Sequence, residues 1–367
     1  MFMTKMKVAF ITRSTLFSIK GGDTIQMMET ARHLEMLNVS IDIKLAHENI
    51  DYSQYDLLHF FNIIRPADII HHLYKTTRPF VVSPILVDYS EYDRHHRQGL
   101  AGFLFRFLSP DGIEYLKTIA RWIKGQDKIA STSYWWKGQK RCVKDILSKT
   151  PLLFPNSHAE YNYIVNAYGI DVPYIKVADG VDPLLFKPDK TIAKEPNLVL
   201  CVARIEGLKN QLNLIKALNN TPYKLVIIGA AAPNQQNYYR ECRRIAAENI
   251  TFTNYLPQDE LVSYYQKAKV HVLPSWFEVC GLSSLEAGAM GCNIVITDKG
   301  FAREYFEDLA FYCDPSSPES IFNAVKKANQ HESNTDLQKC ISGNYTWSNA
   351  AEKTLEGYRK ALKEWKN

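Results

Sequence analysis

Val270-His-Val-Leu273-Pro274-Ser-Trp-Phe-Glu278-Val-Cys-Gly281-Leu-Ser-Ser-Leu-Glu286-Ala-Gly288-Ala-Met-Gly291 reads as a strand, a loop and a helix in direct succession. The apolar run Val270 to Leu273 predicts a buried strand, and Pro274, which has no amide N–H, ends it. A loop carrying Glu278 follows, and a helix begins near Gly281 with Glu286 in its second turn. The amide N–H groups at Gly281, Leu282 and Ser283 open that helix and suit an anionic or hydroxyl-bearing ligand. Glu278 before the helix and Glu286 within it fit hydrogen bonding to two polyhydroxyl groups of one ligand. Two glutamates at this spacing also occur on ordinary solvated helices. Leu285, Ala287 and Met290 nevertheless give Glu286 apolar neighbours.

The same alternation extends to both sides. Downstream and upstream of the quoted stretch, Asn197 to Val202, Lys224 to Ile228, Ile250 to Phe252 and Asn293 to Thr297 predict further strands with helices between them. The first half repeats the theme with Lys7 to Thr12, Val39 to Leu45, Leu57 to Phe61 and Phe80 to Ile85. Gly21-Gly22 forms a turn before a helix capped by Asp23 or Thr24, whose apolar face is Ile25, Met28, Ala31, Leu34 and Leu37. A helix spans about His158 to Tyr168, and a last amphipathic one runs from Ser348 to Trp365. Such βαβ series imply parallel sheets, so the expected class is α/β, two Rossmann-like doubly wound domains facing across a cleft. The expected division is 1–188, with a basic and aromatic insertion at about 89–150, then 189–345. A final segment, 346–367, is expected to cross back to the first domain. Asp182 to Lys190, rich in Pro and Asp, reads as the linker and hinge.

Composition narrows the classes. A chain of 367 residues with 46% hydrophobic and 23% charged residues is globular and large enough for two domains. No apolar run approaches the roughly 20 residues needed to cross a bilayer. Met1 to Lys7 leads directly into a strand without a signal-peptide core, so a cytoplasmic location is expected. The seven cysteines are scattered, with no Cys-x-x-Cys pair, which fits reduced thiols and neither a zinc framework nor a disulfide scaffold. Twelve Lys/Arg against six Asp/Glu lie between Tyr89 and Thr150, and this excess of six exceeds the net +5 of the whole chain. Nucleic-acid binding is not expected, because no recognised module surrounds that excess. A full Gly-x-Gly-x-x-Gly is absent, which speaks against a dehydrogenase.

Six stretches in order resemble the retaining glycosyltransferases of family four, which have the GT-B fold. Glu278 and Glu286 match that family's Glu-x7-Glu motif, and Gly21-Gly22 its first glycine loop. Phe154-Pro155-Asn156-Ser157 and Gly180-Val181-Asp182 with Phe186 are similar to its interdomain landmarks. Cys201-Val-Ala-Arg204-Ile-Glu-Gly-Leu-Lys209-Asn210 resembles its phosphate site, and Tyr255-Leu256-Pro257-Gln258-Asp259-Glu260-Leu261 its Gly-Tyr-Val-Pro-x-x-Glu-Leu segment. The resemblance implies transfer of a sugar from a nucleotide diphosphate with retention of configuration, the leaving phosphate helping to deprotonate the acceptor. Glu278, Arg204 and Lys209 would then be the catalytic set, Glu278 contacting the sugar and the two cations the diphosphate. Glu286 would bind ribose hydroxyls. Ile228, Gly229, Tyr255 and Leu256 would flank the base, and Gly21 and Gly22 would approach the diphosphate or the acceptor. With Arg204 and Lys209 meeting the departing charge, no metal or other cofactor is expected. Arg204 and Lys209 also read as a surface arginine and a helix-start lysine, and Gly21 and Gly22 as turn glycines.

One departure stands out. Many of the relatives implied carry a His after the fourth strand, where this chain reads Val82-Ser83-Pro84-Ile85-Leu86-Val87-Asp88-Tyr89. Asp88, or the nearby His95-His96 pair, is the candidate for that sugar or acceptor contact, although a lone Asp after a strand is often a cap. Cys280 reads as a packing residue, because no adjacent His supports a nucleophile. The stretch from Gly99 to Leu147 interleaves Lys and Arg with Phe103, Phe107, Trp122, Trp135 and Trp136. Its composition suits contact with an anionic membrane or a lipid-linked acceptor, and equally an insertion whose aromatics pack and whose bases are solvated. The expected function is transfer of a hexose-type sugar from a UDP- or GDP-sugar to a glycan or glycolipid acceptor in cell-surface polysaccharide synthesis, at the inner face of the membrane. The alternatives are a GT-B protein that binds nucleotide or glycan without turnover, and an epimerase or phosphorylase of similar architecture.

Overall fold

In the first unit the strands Met6–Thr12, Leu57–Phe61 and Phe80–Ser83 are short, largely apolar and buried, as a covered parallel sheet requires, whereas the edge strand Val39–Leu45 alternates apolar and polar residues. The computed structural model describes residues 5–19, 21–97, 99–125, 128 and 131–365. Contacts divide the chain into two compact units, one of residues 1–87, 107–179 and 347–367, the other of 88–106 and 180–346. Among the described residues the first unit holds β1 (Met6–Thr12), β2 (Val39–Leu45), β3 (Leu57–Phe61) and β4 (Phe80–Ser83), all parallel in the order β2-β1-β3-β4. Central β1 pairs Val8 with Ile41 on one side and with Leu57 on the other. Strand β4 stops at Pro84, two residues earlier than the sequence pattern suggests, and Ile85 turns to a φ of 45°. Single bridges from Val82 to Leu153 and from Leu153 to Tyr174 extend the sheet beyond it.

The helix after Gly21-Gly22 differs from expectation in its cap and its face. Gly21, in extended backbone, is the N-cap of the Gly22–Met36 helix, and Thr24 returns its hydroxyl to the Gly21 N–H. Asp23 is diverted from capping because its carboxylate takes both Nε and Nη2 of the buried Arg13, at 2.7 and 3.0 Å. The buried side is Thr24, Met27, Ala31 and Leu34, with Gln26 and Thr30, and Met28 is exposed. Gln26 is buried on purpose: its amide donates to Asn156 at 2.9 Å.

The closing helix, Trp347–Trp365, belongs to the first unit and packs along Gly22–Met36. Gly357 allows the approach, since a Cβ there would lie 2.3 Å from the Phe154 ring. At the next residue, the Tyr358 hydroxyl lies 2.7 Å from Nδ1 of fully buried His59, whose Nε2 lies 2.8 Å from Ser83 Oγ. Burial holds His59 neutral, well below its usual range. The stretch expected as an insertion at 89–150 is divided between units. Residues 88–106 group with the second, and the first takes the Pro110–Ile123 and Ser133–Leu147 helices. Residues 98, 126, 127, 129 and 130 of that stretch lie outside the described residues. The expected boundary at 188 also falls inside the second unit, which takes up the chain at Gly180.

The second unit contains β5 (Glu195–Val202), β6 (Lys224–Ile228), β7 (Ile250–Thr253), β8 (Ala268–Leu273), β9 (Asn293–Thr297) and β10 (Phe311–Cys313). Its parallel sheet has the order β10-β9-β8-β5-β6-β7. The chain thus starts in the middle, runs out to one edge, returns beside β5 and runs to the other edge. That reversal between β5 and β8 is the topological switch point where doubly wound sheets take ligands. The core beneath is Val199, Leu225, Ile227, Val270, Val272 and Val295, with Leu214, Ile215, Ile321 and Val325 from the flanking helices. Among the described residues no helix is long and apolar enough to cross a membrane.

Removing the Tyr358 hydroxyl leaves a buried His59 nitrogen without its partner. Tyr358→Phe is expected to lower unfolding free energy by about 1–3 kcal/mol, measured by urea denaturation.

Candidate functional site

Two loops leave the carboxyl ends of β5 and β8 side by side at the switch point, and backbone groups brace them together. After β5 the chain runs through Arg204 to a 3-10 turn, Gly207–Lys209, and Asn210 then adopts a left-handed φ of 59° before the Gln211–Leu218 helix. The buried Asn210 side-chain amide Nδ2 donates to Pro274 O at 3.0 Å and Pro315 O at 2.7 Å. From the other loop, Trp276 N–H donates to Leu208 O at 2.9 Å. Glu278 is pinned from a third side by the loop after β9. Its N–H donates to Lys299 O, and its carbonyl accepts from Phe301 N–H at 2.8 Å. Gly300 makes this possible, with φ at +98° and a position where a Cβ would meet Glu278 O at 2.2 Å.

The bracing brings Lys209 and Glu278 together. Lys209 Nζ lies 2.7 Å from Glu278 Oε2, and the Glu278 residue is only 8% exposed. A desolvated ion pair is held by geometry more than by net stability, and either member left alone would be costly. An anionic ligand arriving at Lys209 therefore finds a cation already positioned, beside a carboxylate able to accept hydroxyl protons.

Arg204 is placed differently from expectation. Its guanidinium donates to Glu206 Oε1 at 2.8 Å, so each cation of the expected phosphate pair is engaged by its own acid. Glu206, which the sequence reading did not weigh, belongs to the site. Glu286 is buried on the Leu282–Ala289 helix, and its two oxygens accept from Gln258 at 2.6 Å and Tyr265 at 2.9 Å. Burial pushes its carboxyl up to about 7, against the pull of those two hydrogen bonds. Gln258 and Tyr265 lie seven residues apart on the Gln258–Lys267 helix, which puts both on one face. The sequence signal that could have paired them with Glu286 is that helical spacing alone.

The glycines of this unit have definite roles. Gly281 is the N-cap of the Leu282–Ala289 helix, with φ at 71° and its carbonyl taken by Ser284 and Leu285 N–H. Leu282 and Ser283 follow it, both partly exposed. At Gly229, after β6, a Cβ would lie 1.9 Å from Ala203 O, so the glycine lets the β6 end press against the turn that carries Arg204. Ile228 is buried, Tyr255 is 61% exposed, and Leu256 is partly exposed. Gly21 and Gly22 belong to the first unit and open its first helix. Cys280 is buried.

Residues 88–106 rest on the same loops. His96 stacks face to face on Trp276, ring centroids 3.4 Å apart at 15°. The Tyr92 phenol lies over Gly207, where a Cβ would fall 1.8 Å from its oxygen. Glu91 approaches Lys299 Nζ at 3.7 Å. Burial lowers the His96 pKa, against the opposing pull of Glu91. Of the two candidates for the absent histidine, His96 thus sits on the loop that carries Glu278, whereas Asp88 accepts from Ser90 N–H in a local turn.

Comparison with known proteins bears on this unit most directly. Residues 185–347 match the family described as glycosyl transferases group 1. A D-inositol 3-phosphate glycosyltransferase of Acidothermus cellulolyticus is 25% identical over 248 residues, covering 60% of this chain and 55% of its own length. The chain thus spans about half the length of that curated relative. Among solved structures, sucrose-phosphate synthase from Thermosynechococcus elongatus superposes with a TM-score of 0.75 at 14% identity, over 98% of this chain and all of that one. Anabaena Alr3699/HepE, solved in complex with UDP and glucose, gives 0.70 at 15% identity, over 96% of this chain and 99% of its own. The fold is GT-B, with two Rossmann-like domains.

Glu286 binds its proton more tightly in the folded chain than in the unfolded one, where its pKa is near 4.5. Its contribution to stability is therefore complete below about pH 4.5 and is lost as pH rises through 7. The 2.5-unit difference is worth about 3 kcal/mol. Glu286→Gln is expected to remove that dependence, so urea denaturation of wild type and variant at pH 5 and pH 8 should diverge by roughly this amount.

Proposed function

We propose that this chain is a retaining glycosyltransferase that moves a hexose-type sugar from a UDP- or GDP-sugar to a glycan or glycolipid acceptor in cell-surface polysaccharide synthesis. The observation that carries the reading is the Lys209–Glu278 pair, 2.7 Å apart at the switch point of a parallel sheet. The family match over residues 185–347 and the UDP and glucose named for the Anabaena structure support it.

The chemistry follows from charge. Cleaving the bond between sugar and diphosphate leaves negative charge on the β-phosphate, and Lys209 supplies a point charge to meet it. Arg204 adds a bidentate fork once the phosphate displaces Glu206 from its guanidinium. The N–H groups of Leu282 and Ser283, at a helix start behind Gly281, favour the same anion. In this reading the departing phosphate takes the acceptor's proton while Glu278, relieved of Lys209, holds sugar hydroxyls and stabilises the developing positive ring. Glu286 receives the ribose hydroxyls, and Gly229, Tyr255 and Leu256 border the base. Gly21 and Gly22 would approach the diphosphate or acceptor, and Asp88 or His96 the sugar. No metal or cofactor is required, because the protein's own cations do that work.

The test is donor turnover, followed by nucleotide release across UDP-glucose, UDP-galactose, UDP-N-acetylglucosamine and GDP-mannose, with and without EDTA. Lys209→Ala and Glu278→Gln are each expected to lower kcat by about 100- to 1,000-fold, with EDTA harmless. Turnover unchanged in both variants would overturn the site assignment, and nucleotide binding without turnover of any donor would favour a binding protein.

A further inference from the structure

A cavity of about 520 Å³ opens in the first unit between the start of the Pro110–Ile123 helix and the middle of the Ser133–Leu147 helix. Gly138, which lines it, breaks the second helix there with φ at 69° and ψ at −177°. Lys137, Lys140, Arg141 and Lys144 all line it. Lys137 is committed elsewhere, to Asp145 at 2.5 Å and the Tyr74 hydroxyl at 3.0 Å. Lys140, Arg141 and Lys144 are exposed, and the cavity's one acid, Asp111, is partly buried, its pKa raised by that burial. Glu114, one turn further along the first helix, is taken by Lys117 at 2.5 Å. The cavity therefore presents a net positive wall.

A second feature adjoins it. The end of the first helix and the start of the second meet, with the Trp122 ring edge-on to Trp135 at 4.9 Å and Tyr115 donating to Trp135 O. Large apolar side chains point outward at this junction: Ile123 is 71% exposed and Trp136, adjacent to Lys137, 89%. Lys124 and Lys128 extend the basic character. Lone apolar residues on a surface need no explanation, but tryptophan and isoleucine beside a basic wall do. Tryptophan rings at the headgroup level with Lys and Arg reaching phosphates are the composition of an interfacial lipid contact.

We propose that this face of the first unit docks on an anionic lipid surface, with Lys140, Arg141 and Lys144 taking headgroup phosphates and Trp136 and Ile123 entering the boundary with the acyl chains. The opposite charge of such a surface and the apolar tip together select a bilayer over a soluble phosphate, which would use the cations alone. The site stands apart from the Lys209–Glu278 pair, in a different unit, and its test does not depend on sugar transfer.

Co-sedimentation of the full chain with vesicles decides it. Phosphatidylcholine vesicles containing one-third phosphatidylglycerol are expected to bind the protein, pure phosphatidylcholine vesicles far less, with binding falling as salt rises. Combined Lys140→Glu, Arg141→Glu and Lys144→Glu should weaken binding by roughly 100-fold or more, at about 1 kcal/mol per basic residue. Trp136→Ser, at a side chain 89% exposed, should weaken it independently. Equal binding to neutral and anionic vesicles would overturn the proposal. So would no vesicle binding while inorganic phosphate shifts the melting temperature of wild type and not of the triple variant.

Discussion

The order in which the second unit's strands are laid down governs what its loops can do. Because β5 starts the sheet and β8 returns beside it, the chain after each strand must diverge to opposite sides and leave a crevice between. Into that crevice come Lys209 from one loop and Glu278 from the other. Neither would hold its place on a free loop. Asn210, Trp276 and the Gly300 turn fix three backbones against one another, so a cation and a carboxylate stay paired in a largely desolvated position. The arrangement stores interaction that an anionic, hydroxyl-rich ligand can take over without rebuilding the loops.

Around the pair lies a graded shell. Glu286 is buried and satisfied by Gln258 and Tyr265, and its raised pKa marks a carboxyl whose charge is costly without further donors. Glu206 holds Arg204, and His96 and Tyr92 rest on the loops from residues far earlier in the chain. Acids and cations are thus pre-matched, so none of these charges is left without a partner before a ligand arrives. Ligand charge and hydroxyls must then compete with these internal partners, and discrimination arises from how well they do so.

What the sequence revealed, and what it withheld, follows the reach of each interaction. The strands Val39–Leu45 and Leu57–Phe61 and the His158–Tyr168 helix were legible because their apolar patterns are local. Gly281 and the Glu278/Glu286 spacing were legible because one strand–loop–helix unit contains them. The N-cap at Gly21 was not, since Asp23 is a strong capping residue until the buried Arg13 claims its carboxylate. Gly300 looks like any turn glycine until Glu278 pairs against it, and the partition of residues 88–106 from 107–179 depends on contacts with segments over a hundred residues away. Pairings such as Arg204 with Glu206 and Glu286 with Tyr265 are set by side-chain direction at the sheet end, which composition does not encode.

The central claim is that Lys209 is the cation awaiting a diphosphate at the β5–β8 crevice. Isothermal titration of UDP and GDP into wild type and Lys209→Ala at low salt addresses it directly. The account predicts measurable binding of at least one nucleotide to wild type and a loss of tenfold or more in the variant, consistent with a charge-assisted contact of about 1.5–3 kcal/mol. Equal affinity of both proteins for the nucleotide that binds would contradict it.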